Sequence, residues 1–179
     1  MNWQDIYKSR LTEADTALKA VKSNHRIMIP FAAGQPKSTL DALARRIKEI
    51  ESITIAQLVT ITTDVPYLQP EIKDKVKFIT SYCGAVTRDH VNKGSGEYAP
   101  VFLNEYPKMY SEIYKPDVAL IQVSPPDKHG FCSLGVAVDH HLADELQQTA
   151  GAVPARRDLE QLGRGVEKAR GALAALEQR

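Results

Sequence analysis

The chain contains only two cysteines, Cys83 and Cys132, and they form no CxxC pair. This spacing indicates neither a disulfide framework nor a thiolate zinc site, and it fits a reducing compartment. Neither sign of charge dominates, because 23 Lys and Arg face 22 Asp and Glu for a net charge of +1. Without a basic field to hold a phosphate backbone, the sequence predicts no nucleic-acid partner.

Long hydrophobic runs are also missing. Purely apolar stretches such as 118–121 last only a few residues, whereas a helix that spans a membrane needs about 20. The N-terminal sequence MNWQDIYKSR interleaves charged and apolar residues and has no apolar core of a signal peptide. We therefore expect a cytoplasmic protein with no membrane partner.

The composition is that of a globular protein. Hydrophobic residues make up 43% of the 179 positions and charged residues 25%, which excludes a disordered or collagen-like chain. A chain of this length accommodates one α/β domain, or a smaller domain with an appendage.

Predicted strands alternate with predicted helices along the first two thirds of the chain. Apolar residues recur every three or four positions from Trp3 to Val21, which predicts an amphipathic helix that ends near Lys22. A predicted strand, 26–31, leads through a glycine turn to Ser38 and Thr39, good N-cap residues for the helical run that follows. Further β-rich runs occupy 53–62, 77–82 and 117–123, and the last is nearly continuous in aliphatic residues. The pattern predicts an α/β fold with an open, mostly parallel sheet and flanking helices.

The segment 83–107 is rich in Gly, Asp, Asn and Pro and predicts a long loop with short helical turns. Asn104 is a candidate cap for a helix that runs to Tyr114, with Pro107 in its first turn. Arg88 and Lys93 are solvated loop cations by default, with contact to a phosphate as the alternative.

The composition changes after His141. Residues 142–179 contain no Ile, Phe, Tyr, Trp, Ser or Asn. Leucine and other apolar residues between Leu159 and Leu176 follow a heptad-like spacing, which predicts a helical tail interrupted by glycines. We therefore divide the chain into an α/β domain, 1–141, and an atypical helical tail, 142–179.

The most specific motif follows the predicted strand 117–123. In an open α/β sheet, ligands bind beyond the carboxyl ends of strands, so this loop is a candidate binding segment. Turn chemistry alone explains its Pro, Asp and Gly residues about equally well, as a rigid connection in which Asp127 bonds its own backbone. The candidate substrate-binding residues here are Ser124, Pro125, Pro126, Asp127, His129 and Gly130.

Two sharper interpretations of neighbouring residues are disfavoured. Ser124, Asp127 and His129 lie within one tight loop, whereas the members of a hydrolase triad normally come from separate elements. The adjacent residues at 139–141, Asp-His-His, lack the spaced partner of a typical metal site, so we expect no bound metal.

A second candidate segment is the turn Gly34, Gln35 and Pro36. It precedes a predicted helix N-terminus, whose free backbone N–H groups suit a carboxylate or a phosphate. The turn lacks the lysine and the glycine spacing of a P-loop.

The chain resembles the acetyl-CoA hydrolase/transferase family, which includes the 4-hydroxybutyrate, butyrate and acetate CoA-transferases. The resemblance covers roughly residues 3–139 and matches the amino-terminal domain only. Four segments carry it: the leading helix with Trp3, Tyr7 and Lys8, then IMIPFAAGQPKSTLDALARR, CGAVTRDHVNKGSGEYAPVFLNEYP and PDVALIQVSPPDKHGFCSLGVAVD. It implies a fold of the CoA-transferase and ribose-phosphate-isomerase type.

The resemblance also implies a function. Coenzyme A passes between an acyl-CoA and a small carboxylate through a glutamyl-CoA intermediate, and coenzyme A is a substrate with no metal required. The nucleophilic glutamate belongs to the carboxyl-terminal half of such enzymes, so no residue of this chain is assigned a catalytic role. A frameshifted or truncated reading frame, or a split enzyme whose tail docks a separately encoded second half, would account for the change after His141.

The alternatives to a CoA-transferase are an acetyl-CoA hydrolase and a non-catalytic fragment or subunit. The expected partners are an acyl-CoA, a small carboxylate and the missing half, from the same locus or a separate chain. A second copy of the chain is the alternative partner for the apolar surface that a missing half would leave exposed.

Overall fold

The computed structural model describes residues 3–135. Five parallel strands form one sheet: β1 (Arg26–Met28), β2 (Ile53–Gln57), β3 (Val76–Thr80), β4 (Glu97–Tyr98) and β5 (Val118–Ala119). Their order across the sheet is β4-β3-β2-β1-β5. The predicted α/β class with an open, mostly parallel sheet is therefore confirmed. The predicted tail, 142–179, and the boundary after His141 lie outside the described residues.

Helices connect the strands and cover both faces of the sheet. The α-helices are α1 (Trp3–Arg10), α2 (Ala14–Ala17), α3 (Lys37–Glu49), α4 (Arg88–Asn92) and α5 (Tyr106–Lys108). Short 3-10 turns lie at Leu18–Ala20, Ala32–Gly34, Pro66–Leu68, Lys73–Lys75 and Leu103–Glu105, and a π-helical turn, Met109–Tyr114, continues α5. No helix among residues 3–135 combines the length and the apolar character needed to cross a bilayer.

The two faces of the sheet have different cores because successive strand residues point to opposite sides. Ile27 and Ile55 face an aliphatic layer that α3 completes with Leu43 and Ile47. Their chain neighbours, such as Met28, face an aromatic layer on the other side.

Three tyrosines spaced four residues apart, Tyr106, Tyr110 and Tyr114, build this aromatic layer. The hydroxyl of Tyr110 donates to the carbonyl oxygen of Ala56 at 3.2 Å, and that of Tyr114 lies 3.0 Å from the carbonyl oxygen of Ile27. Burial raises the pKa of Tyr106 to about 12, so the layer holds neutral phenols at physiological pH. Hydrogen bonds to strand carbonyls therefore anchor the helical segment 103–114 across the sheet.

The predicted helix from Asn104 to Tyr114 is present as this succession of 3-10, α and π turns, and Pro107 lies in its first α-helical turn. Asn104 does not cap it, because the 3-10 turn starts after Phe102. The predicted loop 83–107 contains α4 and also a short strand, β4, which pairs with β3. A strand of two residues is too short to produce a recognisable alternation of apolar and polar residues in the sequence.

Two other element boundaries differ from the sequence prediction. The N-terminal helix is broken after Arg10, because Glu13 adopts extended backbone before α2. Helix α3 begins at Lys37, since the carbonyl of Pro36 already accepts the first helical hydrogen bond from Leu40 at 2.9 Å. Ser38 and Thr39 therefore lie inside the first turn and are not N-caps.

The observed strands also end earlier than the sequence predicted. The apolar run 117–123 contributes only Val118 and Ala119 to the sheet, because its partner β1 ends at Met28. One further backbone bond, from Leu120 to Met28 at 3.0 Å, closes the pairing. Strand length here depends on the partner strand, which an apolar run does not reveal.

Candidate functional site

The strand order places a switch point between β1 and β5. From β1 the chain moves outward through β2, β3 and β4, and it then returns to the opposite side of β1 as β5. In open parallel sheets such a reversal leaves a crevice beyond the carboxyl ends of the two strands, where ligands bind. The segments 29–36 and 120–133 follow β1 and β5, so the two sequence-predicted binding segments leave the same edge of the sheet.

The turn Gly34–Pro36 is buried behind this edge. Ala32 adopts a left-handed backbone with φ of 40°, which a residue with a Cβ rarely does. Its N–H donates to the carbonyl of Val59 at 3.0 Å, and the N–H of Gly34 donates to Phe31 at 2.8 Å. Hydrogen bonds from a neighbouring segment thus hold the turn in a strained shape, an arrangement that often accompanies function.

A buried network of uncharged polar side chains ties the turn to the middle of the sheet. Gln35 donates from Nε2 to Oε1 of Gln57 at 3.1 Å, and Thr60 donates to Oε1 of Gln35 at 3.0 Å. The hydroxyl of Tyr67 also donates to Oε1 of Gln57. The Thr60 hydroxyl lies 3.1 Å from that of Thr62, which carries the network outward.

The side chains of this network are polar but uncharged. Burial raises the pKa of Tyr67 well above its ordinary value, although its hydrogen bonds with Gln35 and Gln57 act in the opposite direction. The phenol therefore stays neutral, and amides and hydroxyls do not titrate in this range. None of the five side chains of the network, Gln35, Gln57, Thr60, Thr62 and Tyr67, therefore serves as an acid or base near neutral pH.

A cavity of about 310 Å³ opens beside the turn. Gln35 connects this cavity to the buried network, and Lys37 places a cation at the first turn of α3. The Lys37 ammonium lies 3.8 Å from the carboxylate of Asp41, and both side chains are exposed. The lining residues are Gln35, Lys37, Leu40, Ile61, Thr62, Thr63, Asp64 and Pro66.

The second predicted segment, 124–130, is built differently. The carboxylate of Asp127 accepts from the N–H groups of His129 and Phe131 at 2.8 and 3.0 Å. Gly130 supplies a left-handed φ of 90°. Asp127 and His129 are solvent-exposed. The local turn chemistry predicted for a rigid connection is therefore present, and it neither requires nor excludes a ligand.

The geometry gives no support to a hydrolase triad in this loop. Ser124 donates its hydroxyl proton to the carbonyl of Pro125 at 3.0 Å and accepts from the N–H of Ser133 at 2.8 Å. Asp127 is occupied by backbone donors, as described above. The residues Asp139, His140 and His141 lie outside the described residues, and within 3–135 no three His, Cys, Asp or Glu side chains group as metal ligands.

The two predicted segments line separate cavities. A second cavity of about 320 Å³ lies between α1 and the segment 121–132 and takes Pro126 and Gly130, but none of 34–36. Its lining residues are Trp3, Ile6, Tyr7, Arg10, Leu11, Ile121, Val123, Pro126, Gly130 and Cys132. The sheet thus brings the segments to one edge, while no described cavity contains both.

Lys93, one of the two cations of the predicted loop, lies away from the candidate site. Arg88 begins α4, and Lys93 lies 3.5 Å from the carboxylate of Asp89 with both side chains exposed. Lys93 lines a polar surface cavity together with Lys73 and Lys77, away from the carboxyl ends of β1 and β5. The side chain of Lys93 is therefore exposed to solvent.

Sequence reasoning missed Gln57, Thr60 and Tyr67. The one available signal was a polar residue, Gln57, at the end of an apolar strand pattern. Gln57 is 1% exposed, and its Nε2 is buried without a hydrogen-bond partner in the described part of the chain. A buried polar group of this kind calls for an explanation beyond packing.

Comparisons with known proteins agree with one another. The chain matches the model of the acetyl-CoA hydrolase/transferase N-terminal domain over residues 1–152. It is 34% identical over 141 residues to 4-hydroxybutyrate coenzyme A transferase from Clostridium kluyveri, which covers 78% of this chain and 33% of that protein. It is 30% identical over 142 residues to butyryl-CoA:acetate CoA-transferase from Anaerostipes caccae. This alignment covers 78% of this chain and 32% of that protein.

Solved structures show the same similarity. RipA from Yersinia pestis has a TM-score of 0.70 at 26% identity, over 78% of this chain and 35% of that one. A 4-hydroxybutyrate CoA-transferase from Porphyromonas gingivalis has a TM-score of 0.61 at 25% identity, over 83% and 33%. The chain spans about a third of the length of the curated relatives it matches.

Proposed function

Because the chain belongs to the acetyl-CoA hydrolase/transferase family, we propose that it forms the N-terminal domain of a CoA-transferase. The enzyme moves coenzyme A between small carboxylic acids, of the acetyl-CoA and 4-hydroxybutyrate type. The observation that carries the proposal is the strand order, which places the segments after β1 and β5 at the same edge of the sheet, both within the family-matched residues. Coenzyme A enters as a substrate, and no metal takes part.

The substrate meets the domain at the two segments beyond β1 and β5. Gly34, Gln35 and Pro36 form one side of the site, where Gln35 borders the cavity beside the turn. Ser124, Pro125, Pro126, Asp127, His129 and Gly130 form the opposite side of the site.

The family resemblance implies that the nucleophile is a glutamate in the carboxyl-terminal half of the enzyme, beyond this domain. Every glutamate among residues 3–135 is exposed, and none lines either of the two cavities beside the predicted segments. The missing carboxylate comes from the remainder of the enzyme, on the same or on a separate chain, and this remainder is the main partner of the domain.

The reaction then proceeds by covalent catalysis, through an acyl-glutamyl anhydride and a glutamyl-CoA thioester. The glutamate carboxylate attacks the thioester carbonyl and expels the CoA thiolate, which leaves an acyl-glutamyl anhydride. The thiolate attacks the glutamyl carbonyl and releases the first acid as its carboxylate, so that a glutamyl-CoA thioester remains. The acceptor carboxylate attacks this thioester and reverses the two steps to form the new acyl-CoA.

A hydrolase is the second candidate, since the matching family model carries both activities in its description. The two differ only in whether a carboxylate or water attacks the glutamyl intermediate. A hydrolase releases free CoA thiol in the absence of any acceptor acid, whereas a transferase makes a new acyl-CoA and no net thiol.

An exchange assay tests the proposal. Residues 1–152 replace the matching first third of the Clostridium kluyveri relative, and acetyl-CoA is incubated with 4-hydroxybutyrate or butyrate. We expect chromatography to show the new acyl-CoA with the chimera and none with the present chain alone. A chimera that retains the relative's circular dichroism and melting transition but lacks exchange contradicts the proposal. Exchange by the chain alone, lost on replacing one of its own glutamates, contradicts the placement of the nucleophile.

A further inference from the structure

Helix α1 has an apolar face, yet none of its residues is buried. Trp3, Ile6 and Tyr7, with Leu11 directly after the helix, follow the spacing of one helix face. Such a face usually packs against a core, but here it lines one wall of the cavity of about 320 Å³ between α1 and the segment 121–132. The side chain of Ile6 is 40% exposed. The apolar face of α1 therefore borders an open space in the described part of the chain.

The opposite wall of this cavity comes from the segment that follows β5. Ile121, Val123 and Pro126 line it, and all three are half-buried. Gly130 brings the segment against α1, because a Cβ at this position would lie 3.0 Å from ring atoms of Trp3. The two walls therefore meet at Trp3 and Gly130, and a ligand between them can bury apolar surface on both sides.

One cation belongs to this otherwise apolar lining. Arg10 lines the cavity, and no Asp or Glu among residues 3–135 lines it or forms an ion pair with the Arg10 guanidinium. The planar guanidinium matches the two oxygens of a carboxylate, while the aliphatic stem of an arginine covers apolar surface. The cavity thus combines apolar walls with one cation that lacks a counter-ion in the described part of the chain.

The size of the cavity limits what it can hold. At about 30 Å³ for each non-hydrogen atom, a space of about 320 Å³ takes about ten atoms. A straight-chain acid of about eight carbons has this size. Its carboxylate supplies a counter-ion for Arg10, and its alkyl chain matches the apolar walls. Acetate carries the same head group but would leave most of the cavity empty.

We propose that this cavity binds an apolar monocarboxylate of about six to eight carbons. The carboxylate lies at Arg10, and the alkyl chain lies between Trp3 and Val123. Of the substrate-binding residues proposed above, only Pro126 and Gly130 line this cavity. The inference rests on the shape and charge of the cavity and is independent of the proposed transfer reaction.

Trp3 reports on binding, because it lines the cavity and is the single tryptophan of the chain. The full chain is titrated at neutral pH with hexanoate, octanoate or 1-octanol, and tryptophan emission is recorded. We expect a saturable change with octanoate, and an affinity that rises about fourfold for each carbon added from hexanoate to octanoate. The uncharged 1-octanol has the same chain and should bind about tenfold more weakly than octanoate.

Substitutions separate the charge from the apolar walls. Arg10→Gln should weaken octanoate binding about tenfold and leave 1-octanol binding unchanged. Lys8→Gln is the matched control, because Lys8 is an exposed cation of the same helix that does not line the cavity, and it should keep both affinities. Val123→Phe fills part of the cavity and should weaken both probes. Circular dichroism checks its fold, and Ile6→Phe on the more exposed wall replaces it if it does not fold.

Three results overturn the inference. They are an unchanged Trp3 emission with octanoate, equal affinities of the wild-type chain for octanoate and 1-octanol, and equal losses of octanoate affinity in Arg10→Gln and Lys8→Gln. An emission that depends on protein concentration without any probe would assign the cavity to a second copy of the chain, which also overturns the inference. The exchange assay for the proposed function uses none of these probes, so failure of either proposal is recognised separately.

Discussion

The two segments at the switch point are held in place by different interactions. The turn Gly34–Pro36 is buried, and its contacts come from residues more than twenty positions away, Gln57 and Thr60. The segment 124–130 is largely exposed, and Asp127 holds it through backbone groups two and four residues along the chain. The turn thus depends on the completed fold, whereas the loop keeps its shape through local chemistry.

This difference predicts where substitutions act. Substitutions in the network around the turn should destabilise the core of the domain, because Tyr67 belongs to both. Substitutions in the segment 124–130 should have local effects, because Asp127 bonds backbone groups of the same loop.

The largest expected effect comes from comparing one aromatic side chain of the buried network with one beside the exposed segment. Tyr67 is 0% exposed and Phe131 is 74% exposed. We expect Tyr67→Ala to lower the free energy of unfolding by about 3–5 kcal/mol, the range for large buried aromatics. Phe131→Ala should change it by less than about 0.5 kcal/mol. Urea denaturation followed by circular dichroism measures both, and equal losses would remove the contrast between the two segments.

A smaller effect is expected at Gly130, where the loop contacts α1. Gly130 has φ of 90°, and a Cβ there would lie 3.0 Å from ring atoms of Trp3. Gly130→Ala should therefore cost about 1–2 kcal/mol, from backbone strain together with displacement of the indole. Gly94 is the matched control, because its φ is 72° and an added Cβ meets nothing within 4 Å.

Fluorescence separates the two causes of that cost, since Trp3 is the single tryptophan of the chain. The emission of Trp3 should shift in Gly130→Ala and stay unchanged in Gly94→Ala. An unchanged emission in both variants would show that the loop does not rest against α1.

The smallest effect concerns the opposite end of the same two strands. Asp117 precedes β5 and accepts from the backbone N–H of Arg26 at 2.7 Å and from its Nε at 3.2 Å. Partial burial raises the pKa of the Asp117 carboxyl, but the hydrogen bonds from Arg26 outweigh this effect and hold the pKa below its ordinary value.

A carboxyl whose pKa is lower in the folded state stabilises the fold above its ordinary pKa and loses that contribution as the pH falls through the folded value. Asp117→Asn should therefore destabilise the domain at neutral pH by at most about 1 kcal/mol, because the pair is partly exposed. The difference from wild type should shrink below about pH 4. A difference that stays constant from pH 7 to pH 3 would show that charge on Asp117 contributes nothing.

The structural features that depend on short-range sequence patterns could be predicted. The strand, glycine turn and helix around Gly34 follow from local propensity and spacing, and so does the turn at Asp127. The helix that reaches Tyr114 was also predicted, with Pro107 in its first turn, although Asn104 does not cap it. Parallel pairing followed from the alternation of strands and helices.

Long-range pairing accounts for what the sequence did not show. The contact of Gln35 with Gln57 joins residues 22 positions apart, and no local pattern encodes it. The ends of β1 and β5 depend on where their pairing stops, so the apolar run 117–123 predicted a strand longer than the one present. The side-chain network behind the turn is visible only once the strands are paired.

The central claim is that ligand meets the domain in the crevice beyond β1 and β5. Backbone amide shifts of the ¹⁵N-labelled full chain, recorded as acetyl-CoA is added, test it most directly. We predict that the largest changes fall on residues 31–40 and 120–133, and that the polar surface around Lys73 and Lys93 shows none. Changes concentrated at Lys73 and Lys93, with the crevice unaffected, would contradict the account.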